Sequence, residues 1–140
     1  MGNKFRLDQK IAAFKKVKDS LPIILGNEAL NFFLKSFDNG GFTDASLQKW
    51  DKRKAGAPRN NGRALLIDTG DLRRSIKVSY IGGKAIISSD LIYASVINYG
   101  LRSGRGAGFM MPQRKFVGRS AMLQAEMKLK IIKKISGIFK

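Results

Sequence analysis

The stretch "ALLIDTGDLRRSI", Ala64 to Ile76, places an apolar run against Asp68-Thr69-Gly70-Asp71 and then two arginines. A P-loop needs glycines followed by Lys and by Ser or Thr, so that backbone amides, an ammonium and a hydroxyl converge on phosphates. This stretch lacks that arrangement. Gly70 instead allows an abrupt change of direction after a buried strand, and Asp68 or Thr69 can cap a helical turn that begins at Asp71. We therefore interpret the stretch as part of the fold, with these side chains in the core: Leu65, Leu66, Ile67, Leu72 and Ile76.

An acidic metal site is the alternative interpretation of the same stretch. Asp68 and Asp71 could bind a divalent cation as carboxylate pairs do in nucleases, because hard cations prefer oxygen ligands. The next acidic residue in the chain is Asp90, so a third ligand is not close in sequence. We favour the structural interpretation.

The composition limits the kind of protein that this chain can be. Its 140 residues suit one domain and are enough to bury a core. Lys and Arg total 27 against 10 Asp and Glu, a formal charge of +17, which implies an acidic protein partner or a polyanion. The absence of Cys and His removes disulfides, thiolate metal sites and the commonest general base. We expect no enzymatic activity and no cofactor.

The first residues, MGNKFRLDQKIAAFKKVKD, are interrupted by charge every few positions and contain no continuous apolar region, unlike a secretion signal. The uncharged apolar stretches elsewhere are too short to cross a bilayer. We expect a protein made and used in the cytoplasm, with no membrane partner.

Helical periodicity is found at both ends of the chain. Apolar residues at spacings of four and three predict a first helix: Leu7, Ile11, Phe14 and Val17. Pro22 should end or kink it, because proline disfavours helical geometry in the preceding residue. A second helix should begin near Pro22 and stop at 38–41. After Pro112 a last helix of roughly 30 to 35 Å is predicted to run to about Ser136, with this stripe: Phe116, Leu123, Met127, Ile131 and Ile135.

The middle of the chain contains strand patterns and turn formers. Strands are predicted at 75–80 and 85–89, with Gly82-Gly83 in the turn between them. Residues 42–63 and 100–108 show no sustained period, which indicates loops, and 91–99 has no clean period either. The prediction is a single α+β domain of residues 1–140. In it, N-terminal helices and a long C-terminal helix pack on a small antiparallel β-sheet, with long loops at about 39–63 and 100–110.

Four segments, in order, resemble the phage virion morphogenesis family, the tail completion or neck proteins at the junction between capsid and tail. They are FDNGGFTDASLQKWDKRK, LLIDTGDLRRSI, IYASVINYG and MPQRKFVG. In that family a Trp segment precedes a leucine-rich run ending in Thr-Gly-x-Leu, a Tyr-Ala segment closes on a glycine, and Pro-x-Arg-x-Phe opens the final helix. The matching residues here are Trp50; Leu66, Asp68, Thr69, Gly70, Leu72, Ser75 and Ile76; Tyr93, Ala94 and Gly100; and Pro112, Arg114, Phe116 and Gly118.

The chain departs from the family pattern at two places. Many members carry a His before the glycine that ends the Tyr-Ala segment, whereas this chain has Asn98-Tyr99-Gly100. Lys115 stands where the family usually has a second Pro.

The resemblance implies a structural virion protein of the head-tail junction with no chemistry of its own. It would assemble as a homo-oligomeric ring around the channel through which DNA passes, in the virion after assembly in the host cytoplasm. Its partners would be neighbouring head-tail connector, tail terminator or tail tube proteins, with the genomic DNA in the channel as a further contact.

Three side chains of these segments are expected in the core, because large aromatics are usually buried in a domain this small: Tyr93, Tyr99 and Phe116. Arg114 has five donors in a planar fork, which suits a carboxylate or backbone carbonyls, and an internal or an intersubunit contact is equally open. Basic residues fall in the first helix, in 49–63 and in the last helix. Acidic surfaces of adjoining proteins are slightly favoured over DNA phosphates as their partner, since a channel in which DNA slides should not bind it tightly.

Two alternatives belong to other functional classes. A sequence-independent nucleic-acid-binding protein would use Lys and Arg on phosphates, although the predicted hairpin offers only Tyr80 for base stacking. A nuclease that uses Asp68, Asp71 and Asp90 is the third hypothesis.

Overall fold

A computed structural model describes residues 2–54 and 65–140. Four helices lie in these ranges: α1 (Gly2–Asn39), α2 (Asp71–Ser75), α3 (Ile92–Tyr99) and α4 (Ala121–Ser136). Short strands there form three antiparallel pairs: β1 (Gly41–Thr43) with β2 (Leu47–Lys49), β3 (Lys77–Ile81) with β4 (Lys84–Ser88), and β5 (Arg102–Ser103) with β6 (Phe109–Met110). The predicted α+β class, with helices at both ends and small antiparallel sheets, is confirmed.

The N-terminal region is one helix, so the predicted end of a first helix at Pro22 and the predicted start of a second helix there were wrong. Pro22 lies inside the 38 residues of α1. A proline within a helix removes one backbone donor and crowds the preceding turn, at a cost of about 3 kcal/mol. Here α1 packs on β1, β3, β4 and α4, and this burial offsets the local cost.

The predicted central hairpin is confirmed, with strands shifted by one or two residues. In β3 and β4, Ser79 lies opposite Ile86, and the turn glycines Gly82 and Gly83 have φ values of 58° and 73°. Both angles are in the left-handed region that a two-residue turn of this kind requires. The hairpin lies against α1 at Gly26, a buried position.

Two of the predicted loops contain regular structure. Residues 41–49 form the β1–β2 hairpin, and β5 and β6 flank the glycine-rich turn of the second loop. Strands of two or three residues are too short to show a period in sequence. The remaining part of the first loop, from Ala55 to Arg63, lies outside the described residues. Residues 92–99, which have no clean period, form α3.

The last helix ends at Ser136 as predicted but begins at Ala121, several residues after Pro112. With 16 residues it is about 24 Å long, shorter than expected. Phe116 therefore precedes the helix. The start is fixed by Ser120, whose Oγ accepts a hydrogen bond from the Leu123 amide at 3.2 Å, and by Asp44, whose carboxylate accepts one from the Ala121 amide at 2.8 Å.

The core lies beside the C-terminal half of α1. One cluster of buried side chains comprises Phe37, Trp50, Leu72, Ile76, Ala94 and Phe116. A second comprises Ala29, Phe33, Phe42 and Leu123. Ile87 and Val117 pack against both clusters, so the two are continuous. Leu65, Leu66 and Ile67 are half-buried against the first cluster rather than within it. Residues 65–70 contain no strand, so the buried strand expected before Gly70 was wrong.

Helix α4 runs antiparallel to α1. The Lys130 ammonium pairs with the Glu28 carboxylate, and near the other end Lys10 Nζ lies 5.5 Å from the centre of the Phe139 ring. None of the helices in 2–54 and 65–140 combines the length and the apolar character that a membrane crossing needs.

Candidate functional site

Four segments that are far apart in sequence, 37–54, 65–76, 92–100 and 111–118, meet in one place. Trp50, Leu72, Ala94 and Phe116 each come from a different segment, and all four are buried in the first core cluster. Burying such side chains is the main favourable term in folding, at about 25 cal/mol per Å² of apolar surface. These motif residues therefore hold separate parts of the chain together.

Trp50 is the polar as well as the apolar link in this cluster. Its Nε1 donates a hydrogen bond to the Lys115 carbonyl oxygen at 2.7 Å. Its ring meets Phe37 edge to face, with centroids 5.9 Å apart, and Phe37 also contacts Phe116 at 5.4 Å. The indole thus satisfies its one donor while it fills the core, as buried Trp usually does.

Asn98 connects α3 to the extended segment before α4. Its side-chain Oδ1 accepts hydrogen bonds from the amides of Phe116 at 2.9 Å and Val117 at 3.0 Å, and its Nδ2 donates to the Val117 carbonyl at 3.0 Å. The residue is 4% exposed, so these bonds are shielded from water. No role in the core was predicted for Asn98. Its signal was a polar residue within the apolar segment IYASVINYG.

The ends of α3 and of the following segment are closely fitted. Gly100 ends α3 at φ 67°, and a Cβ there would lie 3.2 Å from the Gln113 Cα. The Arg114 amide donates to the Ile97 carbonyl at 2.9 Å, which fixes the segment after the exposed Pro112 against the helix. Glycine is therefore required at position 100 both by the positive φ and by the close approach of Gln113.

The stretch from Leu65 to Ile76 contains a turn into α2. Gly70 precedes the helix at φ 78°, which provides the predicted change of direction, and Asp71 occupies the first turn of the helix. The N-cap residue of α2 is Gly70, so the expectation that Asp68 or Thr69 caps this helix was wrong, although Thr69 Oγ1 lies 3.4 Å from the Asp71 amide. The buried Ser75 donates from Oγ to the Leu72 carbonyl at 2.7 Å, and the Ser89 hydroxyl lies at the same distance. Leu66, just before the turn, has a φ of 61°, unusual for a residue with a side chain.

The acidic residues of the nuclease hypothesis are engaged in separate contacts. Asp71 accepts from the Thr69 hydroxyl and from Arg74, and these contacts lower the pKa of its carboxyl below the ordinary value. Asp90 lies 3.8 Å from Lys77 Nζ. Within the described residues, no three or more of Asp, Glu, His or Cys group closely enough to hold a metal ion.

Arg114 makes an internal contact. Its Nη2 and Nε lie 3.2 and 3.4 Å from the Asp51 carbonyl oxygen, so the guanidinium clamps the chain just after Trp50. Partial burial lowers the pKa of Arg114, and the neighbouring Arg53 adds to this effect while Asp51 opposes it. The side chain remains a cation at neutral pH, because a free guanidinium ionises far above it.

The expectation that the two tyrosines are buried was wrong, and only Phe116 is. Tyr93 is 45% and Tyr99 65% exposed, and Ile92, seven residues before Tyr99 on the same side of α3, is 91% exposed. The following hairpin also exposes apolar side chains: Leu101, Phe109 and Met110. The buried face of α3 is formed by Ala94 and Asn98, and Tyr93 and Tyr99 lie to either side of that face. Segment 92–110 therefore presents apolar groups to solvent.

A basic surface is formed where the first half of α1 runs beside the end of α4. Residues 127–140 contain only basic charged side chains: Lys128, Lys130, Lys133, Lys134 and Lys140. The first half of α1 carries more basic than acidic side chains: Arg6, Lys10, Lys15, Lys16 and Lys18 against Asp8 and Asp19. A shallow depression between the two helices is lined by Arg6, Lys10 and Lys140. Anions are attracted to such a concentration of one sign of charge.

Comparisons with protein-family models, with curated proteins and with solved structures found no match to this chain.

Proposed function

We propose that this protein is a structural component of a phage virion at the head-tail junction, a tail completion or neck protein that assembles as a ring. The observation that carries the proposal is the meeting of Trp50, Leu72, Ala94 and Phe116 in one cluster. These residues come from the four ordered segments that resemble the family. Their joint burial supports the proposal, because motifs that define one fold are expected to meet in its core.

Segment 92–110 is the proposed contact between neighbouring subunits of the ring. Its exposed residues Ile92, Tyr99 and Phe109 are large and apolar or aromatic, the types that subunit interfaces bury. A ring contact joins two different surfaces of the same chain, so this segment would meet another face of the next copy. Neighbouring connector, terminator or tube proteins would complete the junction in the virion.

Ring formation by the purified protein tests this proposal. Electron microscopy and sedimentation velocity should show closed rings, alone or with capsids and tails of the parent phage. Ile92→Ser and Phe109→Ser should weaken the rings while the melting temperature of the subunit stays within a few degrees. Tyr80→Ser would serve poorly as a control, because its hydroxyl donates to Asn27; Ile81→Ser, at an exposed position of β3, is the matched one. A persistently monomeric protein, with heads and tails that join normally when the gene is deleted, would contradict the proposal.

The basic surface of α1 and α4 favours a second candidate, sequence-independent nucleic-acid binding. A site that neutralises about six phosphates loses on the order of a thousandfold in affinity between 50 and 200 mM salt. Protein interfaces also bury apolar area, a contribution that salt does not screen. We expect a salt range, near or above physiological, in which DNA binding is lost and assembly persists. Loss of both in step would support the nucleic-acid function.

A further inference from the structure

Helix α4 has a second apolar stripe on the side that faces away from α1. Leu123 and Met127 pack toward the core, and Lys130 pairs with Glu28 of α1. On the opposite side, exposed residues recur at spacings of three and four: Met122, Ala125, Leu129, Ile132 and Ser136. Leu129 is 67% and Ile132 53% exposed, so the chain itself leaves the middle of this stripe, here named the outer seam, uncovered. The three-four spacing is that of a coiled-coil seam.

The charges beside the outer seam are mostly positive. Lys128 and Lys133 occupy the positions that flank Leu129 and Ile132, and in coiled coils such flanking residues select the partner. Glu126 lies seven residues before Lys133 on the same edge of the seam, whereas Lys128 is on the other edge. The charge of this edge agrees with that of the whole chain, which is +17.

We infer that the outer seam is a docking surface for an amphipathic helix of another protein, one whose apolar stripe is flanked by Asp and Glu. A second copy of α4 fits less well. In a parallel pair Lys128 would face the other copy's Lys133, and in an antiparallel pair Lys133 would face the other copy's Glu126 while Lys128 would find no carboxylate. An acidic helix can pair with both lysines and covers Leu129 and Ile132.

Two other anionic partners fit the seam less well. Nucleic acid would pair with the lysines but would leave Leu129 and Ile132 in water or against phosphates. An anionic bilayer accepts apolar groups, but interfacial helices present a broad apolar face, whereas this stripe is narrow and includes Ala125 and Ser136. The inference does not depend on the proposed ring, because it rests on α4 alone.

The test uses the full chain and two synthetic helical peptides of about three heptads. Both peptides carry Leu and Ile in the seam positions; one has Glu and the other Lys at the flanking positions. The Glu peptide should bind, and the Lys peptide should bind at least tenfold more weakly by calorimetry. Leu129→Ser with Ile132→Ser should reduce binding of the Glu peptide by tenfold or more, whereas Gln124→Ser, off the seam, should not. Both seam positions are exposed, so circular dichroism should show an unchanged fold.

Charge reversal gives the second arm of the test. Lys128→Glu with Lys133→Glu should invert the preference between the two peptides, while Lys35→Glu with Lys84→Glu, the same change elsewhere, should preserve it. The inference would be overturned if the Glu peptide failed to bind, or if binding ignored the seam variants. It would also be overturned if those variants instead abolished self-association, or binding to phosphatidylserine vesicles or DNA. If the native protein bound the Glu peptide but formed no rings, only the proposed function would be contradicted.

Discussion

The indole N–H of Trp50 donates a hydrogen bond to the carbonyl oxygen of Lys115 at 2.7 Å, across 65 residues of sequence. This bond joins the residue that follows β2 to the extended segment that precedes α4. The three short hairpins do not pair with one another in a common sheet, so contacts of this kind connect the elements. Side-chain hydrogen bonds in the core are therefore expected to contribute to stability beyond apolar burial.

Replacement of Trp50 by Phe should separate the two roles of the indole. The ring contact with Phe37 would largely remain, but the Lys115 carbonyl would lose its partner, at an expected cost of about 1 to 2 kcal/mol in the free energy of unfolding. Trp50→Ala removes the ring as well and should cost about 3 to 5 kcal/mol. Urea denaturation measures both. Equal stability of Trp50→Phe and the native protein would show that the bond is immaterial.

Asn98→Ala should be among the most damaging polar substitutions in the chain. It leaves the amides of Phe116 and Val117 and the Val117 carbonyl unpaired in a buried place, and each such group costs about 1 to 3 kcal/mol. A loss of about 3 kcal/mol or more is expected by denaturant unfolding. Ser95→Ala on the exposed side of α3 is the control and should stay within about 0.5 kcal/mol of the native protein. Comparable effects of the two variants would contradict the assigned role.

The fold was predictable where local signals were long and consistent. The apolar spacing in 7–17 and the Gly82-Gly83 turn indicated α1 and the central hairpin. Pro22 led to the wrong prediction of a helix end. The cost of a proline inside a helix is outweighed here by the packing of α1 on distant parts of the chain, which the local sequence does not show. The start of α4 was also missed, since the residues from Pro112 to Ser120 are held extended by partners distant in sequence, such as Asn98.

The candidate site was predictable in part for the same reason. The change of direction at Gly70 was predictable, because glycine adopts backbone conformations that other residues avoid. The burial of Tyr93 and Tyr99 was predicted wrongly, because general tendencies of aromatic residues do not say which face of α3 meets the core. The outer seam of α4 was not predicted, because Leu129 and Ile132 lie next to residues of the buried stripe in sequence and the spacing alone does not show which stripe faces the core.

Gly26 should tolerate no side chain, although alanine normally stabilises a helix by about 1 kcal/mol relative to glycine. A Cβ at this position would lie 2.7 Å from the Ala85 Cβ and 2.9 Å from Tyr80 Cε1, so α1 and the hairpin would have to separate. Gly26→Ala is expected to lower the melting temperature. Adding Ala85→Gly should restore part of the loss, because it removes the closest contact. If Ala85→Gly restored nothing, crowding between residues 26 and 85 would not be the cause of the lower melting temperature.

Asp71 should make the stability of the protein depend slightly on pH in the acid range. Its carboxyl pKa is lowered in the folded protein, first by the Thr69 hydroxyl and then by Arg74. A lowered folded pKa means that the contribution is present above the unfolded pKa and is lost as pH falls through the folded one, below about 4. Asp71→Asn should therefore be less stable than the native protein at neutral pH and equal to it in strong acid. In an NMR titration, Thr69→Val should raise the pKa of Asp71; an unchanged pKa would contradict this cause.

Gly70→Val should destabilise the protein through its backbone. Gly70 has φ 78°, which a β-branched residue adopts only under strain, at a cost of about 1 to 3 kcal/mol. A Cβ there would also lie 2.8 Å from Arg74 Nη1, but that is the end of a flexible side chain and can move. Strain rather than crowding should therefore dominate, and Gly70→Ala should already show most of the effect.

Gly137, which follows α4 at φ −61°, supplies the matched control. Alanine adopts that angle without strain, and a Cβ there would come no closer than 3.5 Å to the Lys134 carbonyl oxygen. Gly137→Ala should be neutral or slightly stabilising, because it reduces the freedom of the unfolded chain. Thermal unfolding of the three variants should therefore rank Gly137→Ala highest, then Gly70→Ala, then Gly70→Val. If Gly70→Val melted at the same temperature as Gly137→Ala, the turn before α2 would not require the left-handed conformation of Gly70.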